Sequence, residues 1–191
     1  MSLPNYKFLI PNLLSGLRLL LALAFPFVPA SWWIWLIIGG GFSDFLDGQL
    51  ARRWQSQTWQ GGLLDAVADK MFVLSALLSF VLAGRFAPWW LPLVLARDLT
   101  VAGIAAYAAF THCWKAFHKM DARWSGKIAT TAQFLLFAVV TLYPPGVKSM
   151  VSITGACSLI AAVDYWLLFH EENLRRKRSL RKHQPDSFAS K

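Results

Sequence analysis

The chain has 191 residues, of which 56% are hydrophobic and 15% are charged, and its formal net charge is +9. About a quarter of the residues are charged in a typical soluble domain, so the composition argues against that class. The apolar residues form blocks long enough to cross a hydrocarbon core about 30 Å thick. The sequence therefore predicts an all-α integral membrane protein.

Six transmembrane helices are predicted along the chain. Residues 1–12 are interpreted as an N-terminal interfacial segment, residues 13–170 as a six-helix domain, and residues 171–191 as a basic cytoplasmic tail. The predicted spans are residues 13–27, 33–50, 64–82, 89–110, 129–142 and 151–168.

The positive charge in the loops predicts the orientation, because cytoplasmic loops carry an excess of Lys and Arg. With the N-terminus inside, only Arg85 and Lys148 lie in outer loops, and the tail from Arg175 onward is strongly basic. Both termini are therefore expected in the cytoplasm. Basic segments beside membrane helices attract anionic lipid, so the net charge indicates the bilayer as a partner and not nucleic acid.

Four aspartates lie where the second span ends and the third begins. Asp44 and Asp47 are three residues apart, and Asp65 and Asp69 are four apart, so each pair shares one helix face. An acid inside a membrane costs at least ~2.5 kcal/mol, which makes it a candidate functional residue. Converging carboxylates suit Mg²⁺, Mn²⁺ or Ca²⁺, whereas no Cys or His lies in these runs to favour zinc.

Small and basic residues accompany the aspartates. Gly48, Ala51 and Gly61 have almost no side chain and allow a ligand to come close, while Arg52 can hold phosphate oxygens with two parallel hydrogen bonds. Two metal ions stabilise the charge of a diphosphate, and a free carboxylate can accept a proton from an attacking hydroxyl. The cluster therefore suits phosphoryl transfer at the membrane surface.

Two alternative roles for the aspartates stay open on physical grounds alone. The first is a set of internal salt bridges with Arg52, Arg53, Lys70 and Arg97. The second is the cation or proton pathway of a transporter, since transporters also place acids inside helical bundles.

The spacing of these residues resembles the signature of the CDP-alcohol phosphatidyltransferase family. The matching pattern is Asp44-x2-Asp47-Gly48-x2-Ala51-Arg52-x8-Gly61-x3-Asp65-x3-Asp69. Three further segments are similar to the family, namely Pro11-Asn12-x2-Ser15-x2-Arg18, Arg97-Asp98 and Ser125-Gly126-Lys127-x2-Thr130-x2-Gln133.

The resemblance implies a six-helix enzyme, commonly dimeric, that uses two Mg²⁺ or Mn²⁺ ions. Such enzymes move a phosphoalcohol group from a CDP-alcohol to an acceptor hydroxyl and release CMP. By this resemblance Asp44, Asp47, Asp65 and Asp69 hold the metals, and Asp69 is also the general base. The residues implied to line the cytidine diphosphate site are Gly48, Ala51, Arg52 and Gly61.

The acceptor is predicted from the remaining basic residues, and Arg18, Arg97 and Lys127 are assigned to acceptor or phosphate binding. Enzymes resembling phosphatidylglycerophosphate synthase carry a second arginine eight residues after the one that matches Arg97. They also carry a second lysine two residues after the one that matches Lys127. This chain has Ala105 and Ala129 there. The sequence therefore favours phosphatidylglycerol as acceptor of the phosphatidyl group of CDP-diacylglycerol, as in a cardiolipin synthase of the eukaryotic type.

Glycerol 3-phosphate is the alternative acceptor, with Lys115, Lys119 or Arg123 supplying the missing charge. Asp98 and Asp164 receive no defined role. We expect a homodimer in a bacterial inner (plasma) membrane, with the active site facing the cytoplasm.

Overall fold

The computed structural model describes residues 6–54, 59–110 and 124–182, and every regular element in these ranges is helical. The all-α prediction is therefore confirmed for this part of the chain. The α-helices are α1 (Tyr6–Ala24), α2 (Trp33–Trp54), α3 (Trp59–Leu82), α4 (Trp90–Val94), α5 (Ala96–Phe110), α6 (Trp124–Leu142) and α7 (Val147–Lys182). Short 3₁₀ helices cover Phe25–Phe27, Ala30–Trp32 and Pro144–Gly146.

Two segments are long and apolar enough to cross a membrane, judged by length and composition over the described residues. They are Trp124–Leu142 and Pro144–Glu171, and Asn12–Phe27 is a shorter apolar helix. Helices α2 and α3 each carry two of the aspartates, which lowers their mean hydropathy. The prediction of six spans with cytoplasmic termini thus stays a prediction.

The solvent-accessible face of α1 is made of leucines. Leu13, Leu17, Leu20 and Leu23 are all exposed, although they recur at the spacing of one helix face. Water-soluble proteins rarely expose a continuous apolar stripe of this kind. The stripe is what a lipid-facing helix requires.

The first helix begins earlier than the predicted first span. Residues 6–12, which the sequence analysis assigned to an interfacial segment, belong to the same continuous helix as residues 13–24. The predicted fourth span is divided into α4 and α5 at Leu95.

One compact unit of the chain consists of Met1–Pro88 and Phe134–Met150. In this unit α1 packs against both α2 and α3. Phe25, at the end of α1, contacts the rings of Trp33 and Phe72 with centroids 6.0 and 5.9 Å apart. A Cβ atom on Gly40 would lie only 2.5 Å from the Phe72 ring, so glycine lets α2 approach α3 closely just before the first aspartate.

The other compact unit consists of Trp89–Gln133 and Val151–Lys191. Helices α5 and α7 run in the same direction here, because contacts pair Arg97 with Ser158 and, further along, Tyr107 with Phe169. Helix α6 runs opposite to α7, since Ser125 bonds to Asp164 and Ala132 to Thr154.

Side chains replace backbone partners at the break between α4 and α5. The backbone N–H of Arg97 donates to the hydroxyl of Ser158 at 3.0 Å, and the amide of Gln133 donates to the carbonyl of Val94 at 3.1 Å. Helix breaks at membrane depth are tolerated where such side chains satisfy the freed backbone groups.

Candidate active site

The four aspartates lie on α2 and α3. Asp44 and Asp47 are one turn apart on α2, and Asp65 and Asp69 are one turn apart on α3. Gly61 lies one turn before Asp65 on the same helix. The side chains of Asp47, Gly48, Ala51 and Arg52 lie outside the described part of the chain.

Arg18 joins the two aspartate helices. Its side chain is only 1% exposed, and its Nη1 atom lies 2.8 Å from Oδ1 of Asp65 and 3.2 Å from Oδ1 of Asp44. One cationic nitrogen of α1 therefore contacts a carboxylate of α2 and a carboxylate of α3. Both oxygen atoms thus contact the same nitrogen atom.

Hydroxyl groups also lie beside this guanidinium and its carboxylate partners. The Nε of Arg18 donates to Oγ of Ser43 at 3.3 Å, and Ser43 in turn donates to the carbonyl of Gly40 at 2.8 Å. Ser15 donates to Oδ1 of Asp65 at 3.5 Å. Ser43 was not predicted from the sequence, where its only signal is a polar residue directly before the first aspartate.

The carboxylates are far more accessible than the guanidinium that they contact. Asp44 and Asp65 are 47% and 43% exposed, and Asp69 faces Lys70 at 3.5 Å with both side chains partly exposed. Asp65 and Asp69 are also close enough to act electrostatically on Asp44. The cluster is thus open on one side and closed by Arg18 on the other.

These residues fit a divalent cation. Oxygen atoms from two helices already converge on a positive group, and carboxylate oxygens are the ligands that Mg²⁺ and Mn²⁺ prefer. Among the described side chains no group of three potential ligands is positioned to hold a metal ion, and Asp47 is not among those side chains.

One of the salt bridges that the sequence offered as an alternative, between Lys70 and Asp69, is present, whereas Arg97 has a different partner. Lys70 contacts its neighbour Asp69, and Arg97 contacts its neighbour Asp98 at 3.1 Å. In the described part of the chain, the cation that touches Asp44 and Asp65 is Arg18.

A second polar cluster surrounds Arg97 in the other unit. Asp98 is buried, binds Arg97 through Oδ1 and accepts from Gln133 through Oδ2 at 3.0 Å. The guanidinium of Arg97 lies over the ring of Tyr165, 5.8 Å from its centroid. The Nε of Arg97 is buried and has no hydrogen-bond partner among the described residues, so its capacity to donate is unused there.

The beginning of α6 lies beside this arginine. A Cβ atom on Gly126 would be 3.2 Å from Nη2 of Arg97 and 2.5 Å from the hydroxyl of Tyr165. Lys127 follows directly, is exposed and covers the ring of Trp124. The structure thus brings together the segments of two predicted acceptor residues, Arg97 and Lys127, and adds Tyr165, which carried no motif in the sequence.

Asp164 also receives a structural partner. Its Oδ2 accepts a hydrogen bond of 2.6 Å from Ser125, which fixes the first turn of α6 against α7.

Comparison with known proteins identifies the family. The sequence model of the CDP-alcohol phosphatidyltransferase family matches residues 8–167. A CDP-diacylglycerol--glycerol-3-phosphate 3-phosphatidyltransferase of Pectobacterium atrosepticum is 30% identical over 181 residues, covering 89% of this chain and 96% of that protein. A protein of the same name from Sodalis glossinidius is 32% identical over 131 residues, covering 66% of this chain and 69% of its own length.

A putative cardiolipin synthase of Mycobacterium tuberculosis is 35% identical over 105 residues, which cover 52% of this chain and 50% of that protein. No solved structure matches the chain. The family match spans nearly all of the helical part and contains both aspartate pairs. The chain therefore belongs to the CDP-alcohol phosphatidyltransferase family of membrane-bound phospholipid-synthesising enzymes.

Proposed function

We propose that this enzyme transfers the phosphatidyl group of CDP-diacylglycerol to glycerol 3-phosphate and releases CMP. The relative that covers almost the whole chain carries this activity in its name, which supports the proposal. The family match also favours an enzyme over the transporter that the aspartates alone left open.

Phosphatidylglycerol, the acceptor preferred from the sequence, is not supported by these relatives, because the cardiolipin synthase match covers only half of each chain. That preference rested on the missing charges at Ala105 and Ala129. Ala129 is buried, so this position contributes to packing and not to an open phosphate site. Counting basic residues in the sequence also ignores how many hydrogen bonds Arg97 and Lys127 can still donate to a phosphate.

The single observation that carries the glycerol 3-phosphate proposal is the Nε of Arg97, which has no partner among the described residues. A buried donor without a partner costs about 1–3 kcal/mol, and a phosphate oxygen would remove that cost. Arg97 and Lys127 would hold the phosphate, since a guanidinium binds phosphate oxygens in a planar, two-point geometry. Lys115, Lys119 and Arg123, proposed from the sequence as further cations, lie outside the described residues.

The reaction follows from the four aspartates. The acceptor hydroxyl oxygen attacks the phosphorus bonded to diacylglycerol, and its proton passes to Asp69. The bond from that phosphorus to the bridging oxygen breaks, and this oxygen leaves with CMP. Bound Mg²⁺ or Mn²⁺, held by Asp44, Asp47, Asp65 and Asp69, would offset the charge of the diphosphate. The proposed cytidine diphosphate site consists of Gly48, Ala51, Arg52 and Gly61.

The proposal includes the setting of the enzyme. The protein would be a homodimer in a bacterial inner membrane, with six spans and its active site toward the cytoplasm. The names of bacterial relatives and the leucine face of α1 support a membrane-bound bacterial enzyme.

A product assay tests the acceptor. Purified protein receives CDP-diacylglycerol and Mn²⁺ with glycerol 3-phosphate or with phosphatidylglycerol, and CMP and lipids are measured by mass spectrometry. We expect phosphatidylglycerophosphate in the first reaction. Asp69→Asn should lower the rate at least about 100-fold, because a general base usually contributes at least this factor. Cardiolipin as the main product would overturn the acceptor, and an active Asp69→Asn protein would overturn the base.

A further inference from the structure

Arg18 is a buried cation that the proposed reaction does not use. It contacts Asp44 and Asp65, two of the proposed metal ligands, and the protein surrounds it so fully that only 1% of its side chain is exposed. A buried charge needs a charged or hydrogen-bonding partner, and these two carboxylates provide it.

The guanidinium is held in a fixed orientation. Ser43 accepts from its Nε and is itself anchored to the carbonyl of Gly40 within α2. Nη1 then faces both carboxylates at 2.8 and 3.2 Å. A lysine could not make the same set of contacts, because its single ammonium group lacks the planar arrangement of donors.

We propose that Arg18 is a built-in counter-cation of the metal centre and not an acceptor ligand. It neutralises Asp44 and Asp65 while the centre holds no metal, so that the helices α1, α2 and α3 stay assembled. The same positive charge weakens the attraction of the cluster for divalent ions and keeps them exchangeable. This inference rests on the proposed function, because it takes the two aspartates as metal ligands.

Removing the charge has two opposite effects on metal binding. Without Arg18 the carboxylates lose an anchor, which lowers their preorganisation, and they also lose a competing cation, which strengthens their attraction for a metal ion. Coulombic effects between groups in contact exceed the ordering of two short side chains. We therefore expect Arg18→Gln to bind Mn²⁺ more tightly and to be less stable without it.

Thermal unfolding of the detergent-solubilised full-length protein during a Mn²⁺ titration tests the inference, with Mn²⁺ electron paramagnetic resonance as a direct measure of binding. The Arg18→Gln protein should unfold at a lower temperature in EDTA. Its Mn²⁺ midpoint, the Mn²⁺ concentration at which half of the binding response is reached, should fall about tenfold. Arg18→Lys and Ser43→Ala should shift the midpoint less, in the same direction. Arg85→Gln, which removes an exposed arginine from the loop after α3, is the matched control and should leave the midpoint unchanged.

The outcomes separate this inference from the proposed function. If the unmodified protein shows no response to Mn²⁺, the metal centre itself is wrong. If it responds and Arg18→Gln has an unchanged or higher midpoint, Arg18 is not a counter-cation. If Arg18→Gln raises the KM for glycerol 3-phosphate and leaves the Mn²⁺ midpoint unchanged, Arg18 binds the acceptor, as the sequence analysis assigned it. If Arg18→Gln does not fold, unchanged midpoints in Arg18→Lys and Ser43→Ala overturn the inference.

Discussion

Gly126 shows how a single hydrogen atom in place of a side chain shapes the second polar cluster. A methyl group at this position would meet the hydroxyl of Tyr165 at 2.5 Å and Nη2 of Arg97 at 3.2 Å. The ring of Tyr165 is itself packed with Ile104 and Phe169 in a buried group, so it cannot move away freely. The glycine therefore lets α6 begin directly beside the arginine.

We expect Gly126→Ala to lower the melting temperature and to raise the KM for glycerol 3-phosphate. Overpacking costs about 1–3 kcal/mol, which exceeds the gain of roughly 1 kcal/mol from replacing a helical glycine by alanine. Tyr165→Phe removes the oxygen atom nearest to the added methyl group. The double variant should recover most of the lost stability in a thermal unfolding experiment.

The control is Gly103→Ala, because a Cβ atom on Gly103 meets no atom of the described residues within 4 Å. It should be neutral or slightly stabilising. If Gly126→Ala behaved like Gly103→Ala, the contact with Tyr165 would have no energetic importance.

The charge balance around Arg18 can be judged by magnitude. Two unit charges about 4 Å apart interact by ~4 kcal/mol at an effective dielectric constant of 20. Because Asp44 and Asp65 are 47% and 43% exposed, water reduces this energy considerably. The tenfold change expected for Mn²⁺ corresponds to about 1.4 kcal/mol and is therefore a moderate fraction of the unscreened value.

At the scale of elements, the break at Leu95 between α4 and α5 is the feature that departs most from the predicted spans. Pro92 lies in the first turn of α4, where its missing backbone N–H removes no hydrogen bond of the helix. The backbone N–H of Arg97 donates to the hydroxyl of Ser158, and the carbonyl of Val94 accepts from the side-chain amide of Gln133. The break therefore sets the direction of α5, whose first turn contains Arg97 and Asp98.

Ser158→Ala should destabilise the protein by about 1 kcal/mol, because it leaves the partly buried backbone N–H of Arg97 without this partner. It should also lower the catalytic rate, since the amide in question belongs to Arg97. Ser149→Ala changes an exposed serine near the start of α7 and is the matched control. Chemical or thermal unfolding in detergent measures the stability of both variants, and the product assay measures their catalytic rates. Equal stability of the two variants would contradict this role of Ser158.

The sequence predicted that the two aspartate pairs lie close together, but not that α1 packs against both of the helices that carry them. Spacing alone places Asp44 beside Asp47 and Asp65 beside Asp69, because helical periodicity is local. The contact of Arg18 with Asp44 and Asp65 depends on how α1 packs against two other helices, which no local pattern encodes. The same holds for Ser158 and Tyr165, which are distant in sequence from the residues that they contact.

At the scale of the whole molecule, the length and charge of α7 support the proposed orientation in the membrane. The helix Val147–Lys182 has 36 residues, which corresponds to about 54 Å at about 1.5 Å per residue. A hydrocarbon core of about 30 Å cannot contain it, so one end must continue into water. All of its Lys and Arg residues except Lys148 lie in that final part, where the cytoplasmic side favours them.

Cysteine labelling tests this orientation. In a background with Cys113→Ser and Cys157→Ser, we expect Ser149→Cys to react with a membrane-impermeant maleimide in intact spheroplasts, because it lies at the outer end of α7. Ser187→Cys, in the basic tail, should react only after the membrane is permeabilised. Each variant must first retain the product assay activity. The reverse labelling pattern would place the aspartates on the outer face, away from cytoplasmic CDP-diacylglycerol headgroups, and labelling of both sites in intact cells would contradict the membrane passage of α7.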